Sequence, residues 1–456
     1  MNGTAPRSLR QRLLKPERIL ALGFLIAILA GALLLSMPFA ACGRRSIGLR
    51  AALFTAASSV CVTGLSVIDV GTDLSLAGQI IQLLLIQLGG LGFMAFATLL
   101  MSALGRKMSL KSRLLLRESM NQTSFRGMIR LSLLFLLMAF AIEAFGALLL
   151  MIRLVPLYGG KGVWYSIFTA VSAFCNAGFD LFGSGNSLTH MAGEGYVLLV
   201  VAVLILLGGL GFSVILECLH NRLNWRAFSL HAKIVLCTNG ILLFFGMFFT
   251  MLLEWRNPAT LGVLTPGDRF INGFFQSVTL RTAGFAALDQ SSLTDAGKLL
   301  SLPLLFIGAS SASTGGGIKT TTAAMLMLLA ASVIRGREQI SLFGREISAD
   351  TVRRAVTITL IGLTMTIISA CAISVIESGK GFDMLDILFE TTSAFSTAGL
   401  SSIGTGNLSH ASQWLLIPLM YLGRVGPLTL ALALSRTMER GLSAKVHYPE
   451  EKIMIG

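Results

Sequence analysis

Charged residues are scarce in this chain of 456 residues. They make up 13% of the sequence, whereas soluble domains carry about 25%. Hydrophobic residues account for 54%, and the mean hydropathy is +0.77. This composition excludes an ordinary soluble protein and predicts one embedded in a lipid bilayer.

Clustered metal ligands and paired cysteines are also lacking. The six cysteines and five histidines are dispersed, with no C-x-x-C and no H-E-x-x-H motif, so neither a disulfide framework nor a zinc site is predicted. No nucleophile–base pair or carboxylate dyad recurs, which argues against a membrane-embedded enzyme. We therefore expect no enzymatic activity and no covalent cofactor.

Basic residues are in surplus, with 36 Lys and Arg against 22 Asp and Glu and a formal net charge of +14. Such a charge can indicate nucleic-acid binding, but most of these residues fall in the two tails and in three polar connections (104–128, 219–232, 334–353). That distribution follows the positive-inside rule for membrane proteins. The charge thus predicts orientation, and no nucleic-acid partner is expected.

Eight long apolar segments predict eight membrane spans. They lie near 19–39, 77–103, 129–152, 195–218, 233–253, 296–333, 354–377 and 411–435. An even number of spans puts both tails, 1–18 and 436–456, on one side, and their basic residues place them in the cytoplasm of a plasma-membrane protein. A cleaved signal ending in "FAACG" at Cys42 is the alternative, but the preceding apolar run is longer than a signal core.

A fourfold repeat organises these spans. The segments "FTAASSVCVTGL", "FTAVSAFCNAGF", "FFQSVTLRTAGF" and "FETTSAFSTAGL" each place a Phe ten residues before one glycine. The predicted fold is an all-α polytopic membrane protein with four helix–pore-half-helix–helix repeats around a central pseudo-fourfold ion pore. The repeats are expected at 19–103, 129–218, 233–333 and 354–435.

The glycine segments are candidates for a selectivity filter. A half-helix C-terminus carries partial negative charge, and an extended turn lined with carbonyl oxygens can replace the water shell of a cation. Glycines that only pack helices or form turns are the alternative for any single copy. The predicted ion-binding residues are Val62, Thr63, Gly64, Asn176, Ala177, Gly178, Thr282, Ala283, Gly284, Thr397, Ala398 and Gly399.

A second motif lies inside the last helix of each repeat. "QLGGLGF", "LLGGLGF" and "YLGRVGP" correspond in repeats 1, 2 and 4, whereas repeat 3 carries the helix-averse "FIGASSASTGGG". We predict an intramembrane gating loop at 308–319; a flexible kink and a phosphate-binding loop are the alternatives, the latter lacking the Gly-Lys-[Ser/Thr] order. The predicted gate residues are Gly308, Ser310, Ser311, Ser313, Thr314, Gly315, Gly316, Gly317, Lys319 and Arg424.

Several charges near the filter carry separate expectations. Arg424 lies within the last apolar segment, where it would limit ion flow below the filter or else bind a carboxylate or helix carbonyls. Arg281 is expected to brace the outer filter by hydrogen bonding. Asp69, Asp180 and Asp289 follow three filter segments and would either concentrate cations at an outer mouth or cap helices.

These motifs together resemble the Trk/Ktr/HKT superfamily of potassium transporters, and most of all its KtrB-type membrane subunits. The resemblance covers nearly the whole chain and rests on the four glycine segments, the broken helix of repeat 3 and "GRVGPLTL" (Gly423–Leu430). It implies potassium uptake, often stimulated by sodium, by a homodimer with one pore per chain. It also implies a cytosolic, nucleotide-binding KtrA-like ring that moves the loop against Arg424.

The resemblance also bears on selectivity. Relatives with serine in the first filter segment favour sodium, whereas this chain has Gly64, so potassium is the expected ion and sodium a possible activator. Val62 and Asn176 replace the threonine found in the other two segments, which leaves open whether the four filter segments contribute equally to ion binding. A less selective sodium/potassium transporter and an alternating-access carrier with inverted repeats are the remaining hypotheses.

Overall fold

The computed structural model describes residues 16–92, 128–183, 187–222, 224–337 and 339–434. Nearly all of the predicted N-terminal tail, the first basic connection and the C-terminal tail lie outside the described residues.

Sixteen α-helices, six short 3-10 helices and one short hairpin make up the regular structure of these described ranges; the α-helices and strands are labelled here. In chain order they are α1 (Pro16–Leu35), α2 (Leu49–Cys61), α3 (Val70–Asp73), α4 (Leu76–Leu91), α5 (Met128–Tyr158), α6 (Lys161–Phe174), α7 (Gly195–Leu210), α8 (Phe212–His220), α9 (Leu230–Glu254), α10 (Pro266–Thr279), α11 (Asp295–Phe306), α12 (Thr320–Ile334), β1 (Ser341–Leu342), β2 (Arg345–Glu346), α13 (Ala349–Ile376), α14 (Met384–Ser396), α15 (His410–Val425) and α16 (Pro427–Leu434). The two strands pair antiparallel.

Each repeat contains the same three helices. The outer helices are α1, α5, α9 and α13, the pore helices are α2, α6, α10 and α14, and the inner helices are α4, α7, α11 and α15. In the part of the chain that is described, the four outer helices are long and apolar enough to cross a membrane, and the bent pair α7–α8 makes a fifth. The mostly helical fold is that of a polytopic membrane protein, as predicted.

The sequence predicts a break in only one of the four inner helices, that of repeat 3. In the structure the inner helices of repeats 2 and 4 are also interrupted. Helix α7 ends before Gly211, and α8 continues at an angle of 98°; α15 likewise ends before Gly426. Gly92, Gly211 and Gly426 share φ values of 82–92° and ψ values of 134–138°, which no α-helix accommodates. Apolar composition reports compatibility with lipid and not backbone angle, so it wrongly predicted continuous spans there.

Side-chain hydroxyls fix where the inner helices begin. Ser75, Thr294 and Ser409 are the N-cap residues of α4, α11 and α15, and each accepts a hydrogen bond from a backbone N–H in the first turn. Such caps satisfy donors that the helix itself leaves free. Three of the four inner helices therefore begin at a hydroxyl cap, whereas the N-cap residue of α7, Glu194, makes no such bond.

The pore helices form the centre of the protein although they are short and rich in Ser and Thr. Ten of the thirteen residues of α2 are buried, and the repeated Phe54, Phe168 and Phe389 have at most 1% of their surface exposed. In repeat 3 the predicted Phe274 is half-buried, and its neighbour Phe275 takes the fully buried position. Pore helix α10 ends five residues before its glycine rather than three as in α2 and α14, which shifts the buried face.

Candidate ion pathway

The four predicted filter glycines meet at one place. A β-carbon on Gly64 would lie 3.3 Å from the Cα atoms of both Gly178 and Gly399, and one on Gly178 would lie 2.5 Å from the Cα of Gly284. A β-carbon on Gly284 would in turn lie 3.0 Å from the carbonyl oxygen of Ala398, the residue before Gly399. The repeats thus adjoin in the order 1, 2, 3, 4 and back to 1, as a pseudo-fourfold ring requires.

The residue that begins each filter segment has an unusual backbone conformation. Val62, Asn176, Thr282 and Thr397 have φ values of 54–63°, and the glycine two residues later also has a positive φ. In repeats 1, 2 and 4 the intervening residue donates its N–H to a carbonyl five positions back, at 2.7–2.8 Å. This is the Schellman arrangement that ends helices. The sequence predicted the glycine but not the left-handed residue, which is not glycine in any repeat.

Hydroxyl groups support the filter segments from the pore helices. Ser58 accepts a hydrogen bond from the N–H of Gly64 at 3.1 Å, and Ser172 accepts one from Phe179 at 2.9 Å. In repeat 3, Thr279 donates to the carbonyl of Phe285 at 2.5 Å. The sequence reading missed these residues, although a serine six positions before the glycine in repeats 1, 2 and 4 was a visible signal.

A cavity of about 320 Å³ lies on one side of the glycine ring. All four filter glycines line it, together with Asp69, Asp180 and Asp289. Asp69 also caps α3 by accepting from the N–H groups of Gly71 and Thr72, so it both caps a helix and faces the cavity. A helix cap and a place at the outer mouth, the two alternatives that the sequence offered for Asp69, are therefore compatible.

The pKa values of the other two carboxyls differ because their surroundings differ. Burial raises the pKa of Asp180 to about 6. Burial also acts to raise the pKa of Asp289, but hydrogen bonds from Ser292 and Ser291 outweigh it and lower that pKa. One of the two acids therefore changes charge in a mildly acidic range and the other does not.

The first glycine of the inner-helix motif allows close packing against the pore helices. A β-carbon on Gly89, Gly208 or Gly423 would overlap the carbonyl oxygen of Val60, Phe174 or Phe395, respectively. Each of these carbonyls lies four residues before a filter glycine. The motif therefore brings the inner helix into backbone contact with the end of the pore helix.

In repeat 3 the equivalent glycine, Gly308, begins a loop between α11 and α12. Ile307 and Ile318 form a parallel bridge, and the N–H of Gly308 donates to the carbonyl of Ile318 at 2.8 Å. These contacts join the ends of the two helices at the neck of the loop, which is the pair Ile307 and Ile318. Residues 308–317 form the loop between them. The phosphate-loop alternative fails because no strand precedes this loop among the described residues.

The loop is hydrogen bonded to the inner helices of repeats 2 and 4. Ser310 and Thr314 donate their N–H groups to the carbonyls of Gly209 and Gly208, at 3.0 and 3.2 Å. The N–H of Gly317 donates to the carbonyl of Gly423 at 3.3 Å. The backbone groups that a broken helix leaves free are thereby satisfied inside the protein, as membrane depth demands.

The loop also reaches the base of the filter. The N–H of Gly316 donates to the hydroxyl of Thr397 at 3.1 Å, and a β-carbon on Gly315 would overlap the hydroxyl oxygen of Thr282. Lys319 donates to the carbonyl of Gly315 at 2.7 Å. The first residues of two filter segments therefore contact the loop through their side chains.

Arg424 connects the loop to repeat 1. Its guanidinium donates to the carbonyl of Thr314 in the loop and to those of Gly89 and Gly90 at the end of α4. A second cavity, of about 400 Å³, is lined by Arg424, loop residues and the break glycines Gly92 and Gly426. Arg424 thus binds helix carbonyls, as one sequence alternative predicted, while also lining a cavity below the filter.

Arg281 occupies a different position from the one expected. Its guanidinium donates to the side-chain oxygen of Asn239 on outer helix α9, and the amide of Asn239 donates to the hydroxyl of Ser310 at 3.0 Å. Arg281 is therefore hydrogen bonded toward the loop and not to the outer filter. The linear repeat could not reveal this partner, because Asn239 lies on outer helix α9 and far from Arg281 in sequence.

Four equivalent repeats around a ring of glycines, with a cavity on each side of the ring, define a helical membrane protein with fourfold internal repetition. The chain matches the TrkH family, described as cation transport protein, over residues 28–446. It belongs to that family and is a multi-pass membrane cation transporter, not an enzyme.

Individual relatives cover nearly the full length. The chain is 38% identical to "Ktr system potassium uptake protein B" of Bacillus subtilis, over 97% of each chain. It is 39% identical to "Potassium/sodium uptake protein NtpJ" of Enterococcus hirae, over 99% of each. The potassium transporter TrkH from Vibrio parahaemolyticus shares the fold, with a TM-score of 0.72, 19% identity and coverage of 96% of this chain and 87% of that one.

Proposed function

We propose that the chain takes up potassium across the plasma membrane through the filter formed by the segments beginning at Val62, Asn176, Thr282 and Thr397. The observation that carries the proposal is the convergence of four glycines whose neighbouring carbonyls lie at one ring. Carbonyl oxygens are the groups that substitute for the hydration shell of an alkali cation. Relatives named for potassium uptake at 38% and 36% identity support the choice of ion.

The intramembrane loop is proposed as the gate. In this structure its residues 310–317 are bonded to inner helices of repeats 2 and 4 and to the filter residue Thr397. A loop in this position closes the cytoplasmic end of the filter, and its withdrawal opens the path. Because α11 and α12 are tied together at the neck, the loop can withdraw without displacement of either helix.

Arg424 is proposed to hold the closed loop and to repel cations from the inner cavity. Its bonds to Thr314 and to the end of α4 fix the loop against repeat 1. A positive charge in low dielectric raises the energy of a nearby potassium ion. Both effects limit flow, and both end when the arginine moves away.

Regulation and assembly complete the proposal. Both termini lie in the cytoplasm, two chains form a homodimer with one pore each, and a KtrA-like nucleotide-binding ring moves the loop from the cytosol. Sodium acts as a stimulating ion. The support is the similarity to a protein named as component B of a Ktr system and the basic cytoplasmic connections.

Flux measurements in liposomes test the function. Purified protein is reconstituted, and rubidium uptake is measured with external potassium or sodium as competitor. We expect potassium to suppress uptake at a much lower concentration than sodium does. Absent flux both in the folded protein and in a folded variant lacking the loop residues Ser311–Gly316 would refute the pore, because a closed gate stops flux only in the first.

A less selective sodium/potassium transporter is the second candidate. It is favoured by the 39% identity to a relative named for uptake of both ions. In the same assay it predicts equal competition by sodium and potassium. The competition ratio therefore decides between the two functions.

A further inference from the structure

Glu143 is a buried carboxylate that the proposed pathway does not use. It lies near the middle of outer helix α5 and has 4% of its surface exposed. An acidic residue inside a membrane-spanning helix is costly and indicates a function. Its hydrogen-bond partners show what that function is.

Two neutral side chains from different repeats bind this carboxylate. The amide nitrogen of Gln87, on inner helix α4 of repeat 1, donates to both carboxylate oxygens, at 3.0 and 2.9 Å. The thiol of Cys175 lies 3.7 Å from Glu143 Oε1 and 3.6 Å from Gln87 Oε1. Glu143 thereby joins α4 and pore helix α6 at one point.

Cys175 is the residue that precedes the second filter segment. It follows the last residue of α6, and Asn176 comes next with its left-handed φ of 58°. The packing around it is tight, since a β-carbon on Gly90 of α4 would lie 2.6 Å from the Cys175 sulfur. A shift of Cys175 therefore moves the start of the filter strand or pushes against α4.

The same part of α4 receives Arg424. Gly89 and Gly90, whose carbonyls accept from Arg424, follow Gln87 by two and three residues. On the filter side, Gly178 makes the closest approach in the ring, with its β-carbon position 2.5 Å from the Cα of Gly284. A displacement of a few tenths of an ångström there changes the spacing of the oxygens that an ion meets.

We propose that Glu143 is a positioning residue for ion selection, which holds the second filter strand in place through Cys175 and braces α4 against it through Gln87. The inference rests on the proposed filter. Glu143 does not contact the ion and acts through its two partners. Its carboxylate matters because both of its oxygens accept from the Gln87 amide nitrogen, whereas an amide at position 143 has one acceptor oxygen and places a donor NH2 group beside that nitrogen.

A set of exchanges tests this role in the rubidium assay. Glu143→Leu is expected to lower potassium-over-sodium discrimination on the order of tenfold, as loss of an outer-shell support typically does for a bound metal. Glu143→Gln should have a smaller effect. The double variant Gln87→Glu with Glu143→Gln restores one carboxylate and one amide and should recover most of the discrimination, even if Glu143→Leu folds poorly.

Gln82 supplies the matched control. It lies on the same helix α4, is fully buried, and its amide atoms have no hydrogen-bond partner within the described ranges. Gln82→Leu should therefore leave discrimination unchanged. Wild-type discrimination in folded Glu143→Leu, or a double variant no better than Glu143→Gln, would overturn the inference, whereas failure of the filter proposal itself would show as absent selective flux in the wild type.

Discussion

The inner helices of repeats 2 and 3 break at corresponding positions but in different ways. In repeat 2 a single glycine, Gly211, turns the chain by 98°. In repeat 3 the chain leaves the helix after Phe306 and resumes it at Thr320, with the neck closed by the bridge between Ile307 and Ile318. A one-residue hinge moves only if the following helix moves, whereas a loop with a closed neck can move alone.

The two breaks also touch each other. The N–H of Phe212, just after the hinge, donates to the carbonyl of Ala312 in the loop at 3.1 Å, and a β-carbon on Gly211 would lie 2.5 Å from the carbonyl oxygen of Ser311. The turn at Gly211 in repeat 2 therefore forms part of the surface against which the loop of repeat 3 packs. Corresponding positions of the two repeats thus differ in structure, one being a single-residue turn and the other a loop packed against it.

Deletion of the loop in repeat 3 should give the largest change in transport among these variants. Deletion of Ser311–Gly316 is expected to raise rubidium flux about tenfold or more, because it removes the obstruction together with the bond to Thr397; a tenfold change corresponds to about 1.4 kcal/mol. The control is Ser332→Ala, which should leave flux unchanged, since Ser332 lies in α12 outside the loop and its hydroxyl donates to the carbonyl of Leu329. Unchanged or lower flux in folded deletion protein would rule out a gate.

The filter glycines should respond next, in selectivity rather than rate. Gly64→Ser is expected to reduce potassium-over-sodium discrimination several-fold, since its β-carbon would meet the Ala177 carbonyl at 2.6 Å. Gly48→Ser is the matched control, because Gly48 also has a positive φ, 84°, but no atom of the described part of the chain lies within 4 Å of its β-carbon position. Equal discrimination in the two variants would contradict the filter assignment.

Arg424 is expected to give an intermediate gain in flux. Arg424→Ala removes both the charge and the bonds to Thr314 and α4, so flux should rise a few-fold, about 1 kcal/mol. Arg424→Lys keeps the charge but loses the fork of donors and should fall between the alanine variant and the wild type. A slower alanine variant of unchanged thermal stability would show that the residue supports structure alone.

The hinge should give a smaller effect that depends on contact with the loop. Gly211→Ala is expected to raise flux about twofold by displacing Ser311, less than 1 kcal/mol. Gly92→Ala carries the same strain at φ 82°, but no atom of the described residues lies within 4 Å of the new carbon, so its flux should not change. Similar flux in the two variants would show that the contact between Gly211 and the loop does not affect gating.

Repeats 2 and 3 can also be compared at the outer cavity, which Asp180 of repeat 2 and Asp289 of repeat 3 both line. Asp180 has a raised pKa of about 6, so it loses its negative charge as external pH falls through 6, and potassium uptake should decline modestly over that range. Asp180→Asn should abolish this decline, whereas Asp289→Asn, which removes an acid of lowered pKa, should preserve it. An identical pH profile in both variants would show that neither carboxyl concentrates cations.

Much of the architecture was predictable because it repeats. The fixed spacing from Phe to glycine located the four glycine segments that meet at one ring, and apolar composition located the four long outer helices. The helix break at Gly308 was predictable from residues that oppose helix formation. In contrast, the breaks at Gly211 and Gly426 were missed, because an isolated glycine in an apolar run does not reveal its φ.

Contacts between repeats were not predictable from the chain. Nothing in the order of residues shows that Arg281 reaches Asn239 and, through it, the loop residue Ser310. The association of Glu143 with Gln87 and Cys175 likewise joins residues far apart in sequence. Such polar contacts depend on rotations of helices about their own axes, which a few residues of offset can reverse.

The sequence by itself determined that the protein is membrane-embedded, that it has four equivalent units, and that each unit presents one glycine segment, because composition and spacing directly record solvent and repetition. Only the tertiary structure decided which backbone residues adopt left-handed angles, which carbonyls accept hydrogen bonds from the loop and from Arg424, and which side chains bind the buried Glu143. These features arise where helices from different repeats approach within hydrogen-bond distance, and that distance is set by packing rather than by any local pattern.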